Sequence, residues 1–207
     1  MKVIAIDGPA GSGKSTLARA LATALGWSFL DTGAMYRAIT SEVLKRGIDP
    51  LREEEVGRIA SECDIKTVPY VSINGRNVND DIRSDVVNRW VSTVASYRIV
   101  REQMVERQRL FAQAQPEGTV VEGRDITTVV FPDATLKVFL TADVSERARR
   151  RGDESAESIE RRDLLDSTRE NSPLRRAEDA MEIDTTQRSV ESIVEQIVLW
   201  LRTNHFH

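Results

Sequence analysis

Five short apolar runs, separated by amphipathic segments of helical length, divide this chain of 207 residues. The runs cover residues 3–6, 27–30, 119–121, 136–140 and 181–183. Aliphatic and β-branched residues bounded by turn-forming residues are typical of buried strands. Strands that alternate with helices indicate a parallel sheet with helices on both of its faces. The pattern therefore predicts an α/β fold with a five-stranded parallel sheet.

Four segments repeat apolar residues every three or four positions, which is the spacing of one helix face. These segments span residues 17–25, 35–44, 97–114 and 190–201. Gly26 is expected to end the first of these helices, and Gly47 with Pro50 the second. The last helix follows Ser189 and is interpreted as a packing helix.

Two stretches break the alternation. Within residues 62–84, an apolar run precedes Asn74-Gly75, a dipeptide that suits the tight turn of a β-hairpin, so we predict a small β insertion there. Residues 145–170 are rich in charge, with residues 152–155 in the middle of the segment. They predict a helix–loop–helix that is either a solvated face or a mobile lid, and we favour the lid because phosphate chemistry needs water excluded.

Composition favours one compact enzyme over a nucleic-acid or membrane protein. Hydrophobic residues make up 40%, so we expect one core, with small insertions, over residues 1–207. Lys and Arg total 29 against 33 Asp and Glu, and the resulting net charge of −4 does not favour nucleic acid as a partner. No long apolar span occurs, so we expect a cytoplasmic protein that binds no membrane. The single cysteine, Cys63, excludes an internal disulfide and a multi-cysteine zinc site.

A phosphate-loop pattern, G-x-x-x-x-G-K-[ST], directly follows the first predicted strand. Glycines let backbone N–H groups curl around phosphate oxygens, and the following helix adds the positive end of its dipole. Lys14 is expected to reach the outer phosphates, and the Ser15 hydroxyl to ligate Mg²⁺. A glycine-rich turn without a ligand is the alternative. The expected ATP-binding residues are Gly8, Pro9, Ala10, Gly11, Ser12, Gly13, Lys14, Ser15 and Thr16.

Acidic and basic residues follow the third predicted strand as Glu122-Gly123-Arg124-Asp125. The carboxyl end of a strand is where α/β sheets bind ligands. Glu122 could organise magnesium through bound water, and Arg124 could neutralise a transferring phosphoryl group. A local knot of ion pairs among these side chains is the alternative.

Arginines recur along the predicted lid. Arg162, Asp166 and Arg169 stand at positions i, i+4 and i+7 and therefore share one helix face, which could grip a sugar and a phosphate. A salt bridge between Arg162 and Asp166 is the alternative. Arg147 and Arg151 form an i, i+4 pair further upstream. This pair indicates a function only in combination with the phosphate loop.

Several spaced motifs together resemble the bacterial cytidylate kinase family over nearly the whole chain. They are the phosphate loop, residues 31–37 (DTGAMYR), residues 91–101 with Gln108-Arg109, residues 122–125 (EGRD), residues 129–134 (VVFPDA), and Arg162-Asp163 with Asp166 and Arg169. The resemblance implies a P-loop NTPase fold with a CMP-side insertion and a short helical lid. It also implies transfer of the γ-phosphoryl group of ATP to CMP or dCMP, with magnesium.

The same resemblance implies a role for each matching residue. It implies that Lys14, Arg124, Arg147 and Arg151 stabilise the transferring group. Asp125 would accept a hydrogen bond from the exocyclic amine of cytosine, a donor that carboxylates also read in nucleic acids. The implied CMP-binding residues are Ser92, Arg101 and Asp125 at the base, Arg162 and Asp166 at the sugar, and Thr32, Tyr36, Arg37, Arg83, Arg124 and Arg169 around the phosphate.

The chain departs from the family pattern at three places. Thr32 replaces a serine and keeps the hydroxyl, whereas Thr127 occupies a position where glycine is common and would be strained by a positive φ. The segment between Arg151 and Arg162 is shorter than in many bacterial relatives. This leaves the lid and its arginine count open.

Other functions remain as alternatives. A kinase for another small acceptor, such as UMP, AMP or a shikimate-like metabolite, would share the phosphate loop. A non-catalytic ATP-binding module would share it too, although the D-x-x-G and N-K-x-D motifs of GTPase-type switches do not occur. We expect ATP and CMP or dCMP as small-molecule partners of a monomer.

Overall fold

The computed structural model describes residues 1–152 and 156–204. The described chain forms two compact units. The first comprises residues 1–30, 112–152, 156–168 and 172–204, and the second comprises residues 31–111 and 169–171. Residues 153–155, at the centre of the predicted lid loop, lie outside the described residues.

Eight strands occur within the described ranges. They are β1 (Val3–Asp7), β2 (Ser28–Asp31), β3 (Ile65–Lys66), β4 (Ser72–Ile73), β5 (Arg76–Asn77), β6 (Thr119–Gly123), β7 (Leu136–Thr141) and β8 (Met181–Asp184). Five of them form one sheet in the order β2-β6-β1-β7-β8, and the pairs of β1 with β6 and β7, and of β7 with β8, are parallel. The predicted five-stranded parallel sheet is confirmed.

Helices of the described chain cover the intervals between the strands. They are α1 (Lys14–Leu25), α2 (Thr32–Lys45), α3 (Glu53–Glu62), α4 (Asp85–Val94), α5 (Arg98–Gln113), α6 (Val144–Arg150), α7 (Ala156–Ser167) and α8 (Val190–Thr203). A 3₁₀ turn covers Asp81–Arg83, and a one-turn π-helix covers Ile126–Val130. The helix predictions ending at Gly26 and beginning after Ser189 are confirmed, with Gly26 in the left-handed C-cap conformation.

Central strand β1 carries the core of the first unit. All five of its residues are buried, and Ile4 and Ile6 pack with Leu17, Leu21 and Ile197. Such a continuous apolar strand suits a parallel sheet that is covered on both faces. The register pairs Asp7 with Gly123 of β6 and with Phe139 of β7, so the carboxyl ends of three strands lie at one edge of the sheet.

The second unit contains a three-stranded antiparallel sheet in the order β3-β4-β5. Its hairpin turns at Asn74 and Gly75, whose φ values of 51° and 78° are those that Asn-Gly tolerates in a tight turn. Helix α2 begins three residues earlier than the apolar pattern predicted, because the Asp31 carboxylate caps it by accepting from Ala34 N at 2.9 Å. Cys63 is buried, as a structural thiol would be.

No helix in ranges 1–152 and 156–204 combines the length and the apolarity that crossing a bilayer demands. Thr127 lies within the π-helix, and the non-glycine residues of positive φ in the same ranges are Asn74 and Ser172. The strain that a positive φ would have imposed on Thr127 is therefore absent from the described backbone.

Candidate active site

The phosphate loop connects β1 to α1 and packs directly against its neighbours. A Cβ placed on Gly8 would lie 2.4 Å from the carbonyl oxygen of Leu140, and one on Gly11 would lie 2.7 Å from that of Arg147. No larger residue fits at either position without moving backbone. The glycines of this pattern thus allow close approach of the loop to β7 and α6 as well as the curl around phosphate.

Side chains bind four of the carbonyl oxygens of the loop. The pairs are Arg124 Nη1 with Gly8 O at 2.6 Å, Lys14 Nζ with Pro9 O at 2.8 Å, Arg147 Nη1 with Ala10 O at 3.0 Å, and Thr185 Oγ1 with Ser12 O at 3.1 Å. The C=O and N–H of a peptide unit point in opposite directions. Fixing the carbonyls therefore turns neighbouring N–H groups to the other side, as an anion-binding loop requires.

Lys14, at the first position of α1, is buried among charges. The pKa of its ammonium group is lowered to about 7, first by burial and then by the neighbouring cations Arg124 and Arg151, while Glu122 and Asp7 oppose the shift. The ammonium form of Lys14 is therefore disfavoured at this buried position, and the negative charge of a bound polyphosphate would favour it.

Ser15 and Glu122 meet at the mouth of the loop. The Ser15 hydroxyl donates a short hydrogen bond to the Glu122 carboxylate, which is itself buried at the end of β6. Hydroxyl and carboxylate oxygens are the hard ligands that Mg²⁺ prefers, together with water and phosphate oxygens. The donor set therefore fits magnesium. Across the part of the chain that the structure describes, no cluster of three or more His, Cys, Asp or Glu forms a protein-only metal cage.

Arg124 is held by α7. Its Nε lies 3.0 Å from the Asp166 carboxylate, and its Nη1 lies 4.0 Å from the Asp163 carboxylate. Asp166 is almost fully buried and Arg124 mostly so. The alternatives drawn from sequence were ion pairs of Arg124 with the acidic residues next to it and a salt bridge between Asp166 and Arg162. Neither of them included the contact between Arg124 and Asp166.

Asp163 joins three groups of the site, although the sequence places it only within a family motif and assigns it no role. Its carboxylate accepts from Ala10 N in the phosphate loop at 2.9 Å and makes a short contact with Arg147 Nη1. Arg147 is buried and also donates from Nε to Ala142 O at 3.1 Å. A carboxylate of α7 thus neutralises positive charge beside the loop.

Asp7, the last residue of β1, has a different set of partners. Its carboxylate accepts from Ile126 N at 2.9 Å, from Thr127 N at 2.7 Å and from Thr127 Oγ1 at 2.7 Å. The pKa of Asp7 is raised to about 6, chiefly by its full burial and slightly by the nearby Asp125, while the three hydrogen bonds oppose the shift.

The remaining predicted residues of the first unit are placed as follows. Arg162 is buried on α7, Asp125 is buried at the start of the π-helix, Arg151 is partly buried at the end of α6, and Thr16 is exposed on α1.

Predicted acceptor residues of the second unit form two local groups. Arg101 lies over the Tyr36 ring at 5.5 Å from its centroid and donates to Ala95 O at 3.0 Å. Arg37 donates to Asn88 Oδ1, and Asn88 Nδ2 donates to Arg83 O at 3.3 Å. Asn88 was not predicted. Thr32 and Ser92 are buried on α2 and α4, and Arg169 is partly buried after α7.

Comparison with known proteins gives a consistent result. A sequence model of a family described as cytidylate kinase matches residues 4–203. Cytidylate kinase of Geobacillus kaustophilus is 47% identical over 94% of both chains, and that of Bacillus subtilis is 44% identical over the same shares. Among solved structures, shikimate kinase from Acinetobacter baumannii in complex with shikimate aligns at a TM-score of 0.51 with 18% identity, over 100% of this chain and 96% of that one. At that identity the likeness shows the fold alone.

Proposed function

Because the chain belongs to the cytidylate kinase family, we propose that it transfers the γ-phosphoryl group of ATP to CMP or dCMP. The products are ADP and CDP or dCDP. The observation that supports this most is the build of the phosphate loop. Side chains bind four of its carbonyls, and the loop carries Lys14 and the Ser15 hydroxyl that pairs with Glu122. A loop built in this way binds the polyphosphate of a donor nucleotide.

On the donor side, the loop N–H groups and the N-terminus of α1 bind the phosphates of ATP. Lys14 exchanges its contact with Pro9 O for the outer phosphates, whose charge favours its ammonium form. Ser15 would hold Mg²⁺, with water-mediated help from Glu122, and the bound ion would supply positive charge for the outer phosphates.

Transfer needs no covalent intermediate with the protein, since positioning and charge stabilisation supply most of the catalysis in this chemistry. Arg124 spans the distance from the phosphate loop to α7 and stabilises the phosphoryl group in transit. Arg147 and Arg151 add positive charge from α6 and its end. A planar guanidinium group matches phosphate oxygens in bidentate geometry.

On the acceptor side, Asp125 accepts a hydrogen bond from the cytosine amine, assisted by Ser92 and Arg101. Arg162 and Asp166 bind the sugar from one face of α7. Thr32, Tyr36, Arg37, Arg83 and Arg169 bind the acceptor phosphate. These roles rest on the family motifs and on the chemistry of each side chain.

All of these groups come from one chain, so we propose that the enzyme works as a monomer. We propose a cytoplasmic location, because the donor ATP is abundant there. The function is tested by measuring ADP release from the intact protein with Mg²⁺ and CMP, dCMP, UMP, AMP, shikimate or no acceptor. CMP and dCMP should give the highest kcat/KM. A rate that does not depend on acceptor would contradict the proposal, and so would a preference for shikimate or AMP.

A further inference from the structure

Two cross-links join the base of the phosphate loop to the segment that follows β6. Arg124 Nη1 donates to Gly8 O at 2.6 Å, and the adjacent Asp7 carboxylate binds Ile126 and Thr127. Asp125 lies between these two contacts. The chain on both sides of Asp125 is therefore tied to residues 7 and 8, which lead directly into the phosphate loop.

The Thr127 hydroxyl completes this arrangement. Asp7 is fully buried, and its Oδ2 accepts from both Thr127 N and Thr127 Oγ1 at 2.7 Å, while Oδ1 accepts from Ile126 N at 2.9 Å. A buried carboxylate is stable only with such partners. A glycine at position 127 would offer the backbone N–H and no hydroxyl. The hydroxyl therefore supplies a third bond that the departure from the family pattern creates.

The bonded segment is also locally unusual. Residues Ile126–Val130 form a single turn of π-helix, an arrangement that is rare and that often occurs at functional sites. The first N–H groups of this turn donate to the negatively charged carboxylate of Asp7. A negative charge there also suits the positive N-terminal end of a helical turn. The position of Asp125 at the start of this turn is thereby fixed relative to β1.

We infer that Asp7 is a positioning residue for acceptor recognition, and that the Thr127 hydroxyl is the part of its contact set that sharpens the placement of Asp125. The carboxylate touches neither substrate. It acts through the backbone of the residues that follow Asp125, so its loss moves Asp125. The side-chain bonds to the carbonyls of the phosphate loop remain. The inference rests on the proposed function, since it assigns Asp125 to the acceptor.

The test compares two neighbouring threonines. Thr127→Val removes the bonded hydroxyl and keeps the branched shape, and two bonds to Asp7 remain to support folding. Thr128→Val is the matched control, because the Thr128 hydroxyl is buried in the same turn and has no hydrogen-bond partner among the described residues. Thr127→Ser restores the hydroxyl. For each variant, KM for CMP, KM for ATP, kcat and the CMP/UMP ratio of kcat/KM are measured, together with the melting temperature.

We expect Thr127→Val to raise KM for CMP and to lower the CMP/UMP ratio by about tenfold each, the effect of one lost buried hydrogen bond, with KM for ATP unchanged. Thr127→Ser should recover most of both values, and Thr128→Val should match the wild type. Asp7→Asn, which keeps the side-chain size, should shift the same two quantities further. A lower melting temperature with kinetic constants equal to those of Thr128→Val would overturn the inference, as would equal increases in KM for CMP and ATP. A wild-type enzyme that does not prefer CMP would instead contradict the proposed function.

Discussion

The carboxylate of Asp163 accepts a hydrogen bond from the backbone N–H of Ala10 at 2.9 Å, which links helix α7 to the phosphate loop. The same carboxylate pairs with Arg147 and lies 4.0 Å from Arg124 Nη1. An anion therefore sits beside groups that a donor phosphate would also bind. This carboxylate thus neutralises part of the positive charge that the phosphates of ATP would also neutralise.

Competition between Asp163 and phosphate gives a directional prediction. Asp163→Asn should lower the Kd for ATP by about three- to tenfold, because it removes a negative charge from the neighbourhood of the incoming phosphates. It should also lower the melting temperature of the ligand-free protein, since buried Arg147 loses its ionic partner.

Calorimetric titration with ATP and a thermal melt provide both values for Asp163→Asn. Asp179→Asn is a matched control, because Asp179 is mostly exposed and pairs with Lys137 on another edge of the first unit. If Asp163→Asn binds ATP more weakly than that control does, the Asp163 carboxylate organises the phosphate loop for binding and does not compete with the phosphates of ATP.

Lys14→Met tests the phosphate loop itself. The change removes the charge directed at the β- and γ-phosphates and keeps much of the apolar stem, so kcat should fall at least about a hundredfold. The fold should persist, because burial already lowers the pKa of Lys14 and the folded state gains little from its charge. Steady-state turnover and circular dichroism check the two halves of this prediction. Near-normal turnover in a folded variant would remove Lys14 from the transfer step.

Asp166→Ala separates a sugar contact from a structural ion pair. The carboxylate is buried and lies 3.0 Å from Arg124 Nε, so its loss should reduce the free energy of unfolding by about 3–5 kcal/mol. As a sugar ligand it should also weaken CMP and dCMP binding and change the ratio of their KM values, because only CMP carries the 2′-hydroxyl. Chemical denaturation and KM for both acceptors are the measurements. Lost stability with an unchanged ratio would leave Asp166 as the partner of Arg124 alone.

The pKa of Asp7 predicts how stability depends on pH. Its folded value is raised from 3.8 to about 6, so the folded protein binds the proton more tightly than the unfolded chain does. The stabilising contribution of this group is therefore fully present below pH 3.8 and is lost as the pH rises through about 6.

Relative to Asp7→Asn, the wild type should lose unfolding free energy between about pH 4 and pH 7. Urea denaturation of both proteins across that range measures the difference. A difference that is constant with pH, or that grows as the pH rises, would show that Asp7 does not titrate in this window.

Much of the fold followed from local patterns, because each strand of the five-stranded sheet overlaps a predicted apolar run and the phosphate loop has a fixed spacing. Helix α4 was missed although Val87, Val91 and Val94 recur at helical spacing after the N-cap position Ser84. Tertiary contacts were beyond the sequence. Nothing in the residues around Asp163 or Thr185 marks them as partners of Ala10 and Ser12, since those bonds depend on how α7 and β8 pack.

Thr127 combines a signal in the sequence with a tertiary contact that the sequence does not reveal. The sequence marked it as a departure from the family pattern and raised the question of a strained backbone. The structure places it in a π-helix, where its hydroxyl binds a buried carboxylate of β1. Thr127, which departs from the family pattern, thus gains a tertiary partner that lies far away in the sequence.

Base recognition by Asp125 sets the proposed acceptor specificity, and it is tested by the CMP/UMP ratio of kcat/KM in Asp125→Ala. Cytosine presents an amine donor where uracil presents a carbonyl acceptor, so the carboxylate bonds one base and repels the other. The wild type should prefer CMP by a penalty of about 2–5 kcal/mol on uracil, or tens to thousands in kcat/KM. Asp125→Ala should reduce activity on CMP far more than on UMP, and Asp133→Ala, at an exposed site, should change neither. Equal proportional losses on both acceptors, with the ratio unchanged, would remove Asp125 from base recognition.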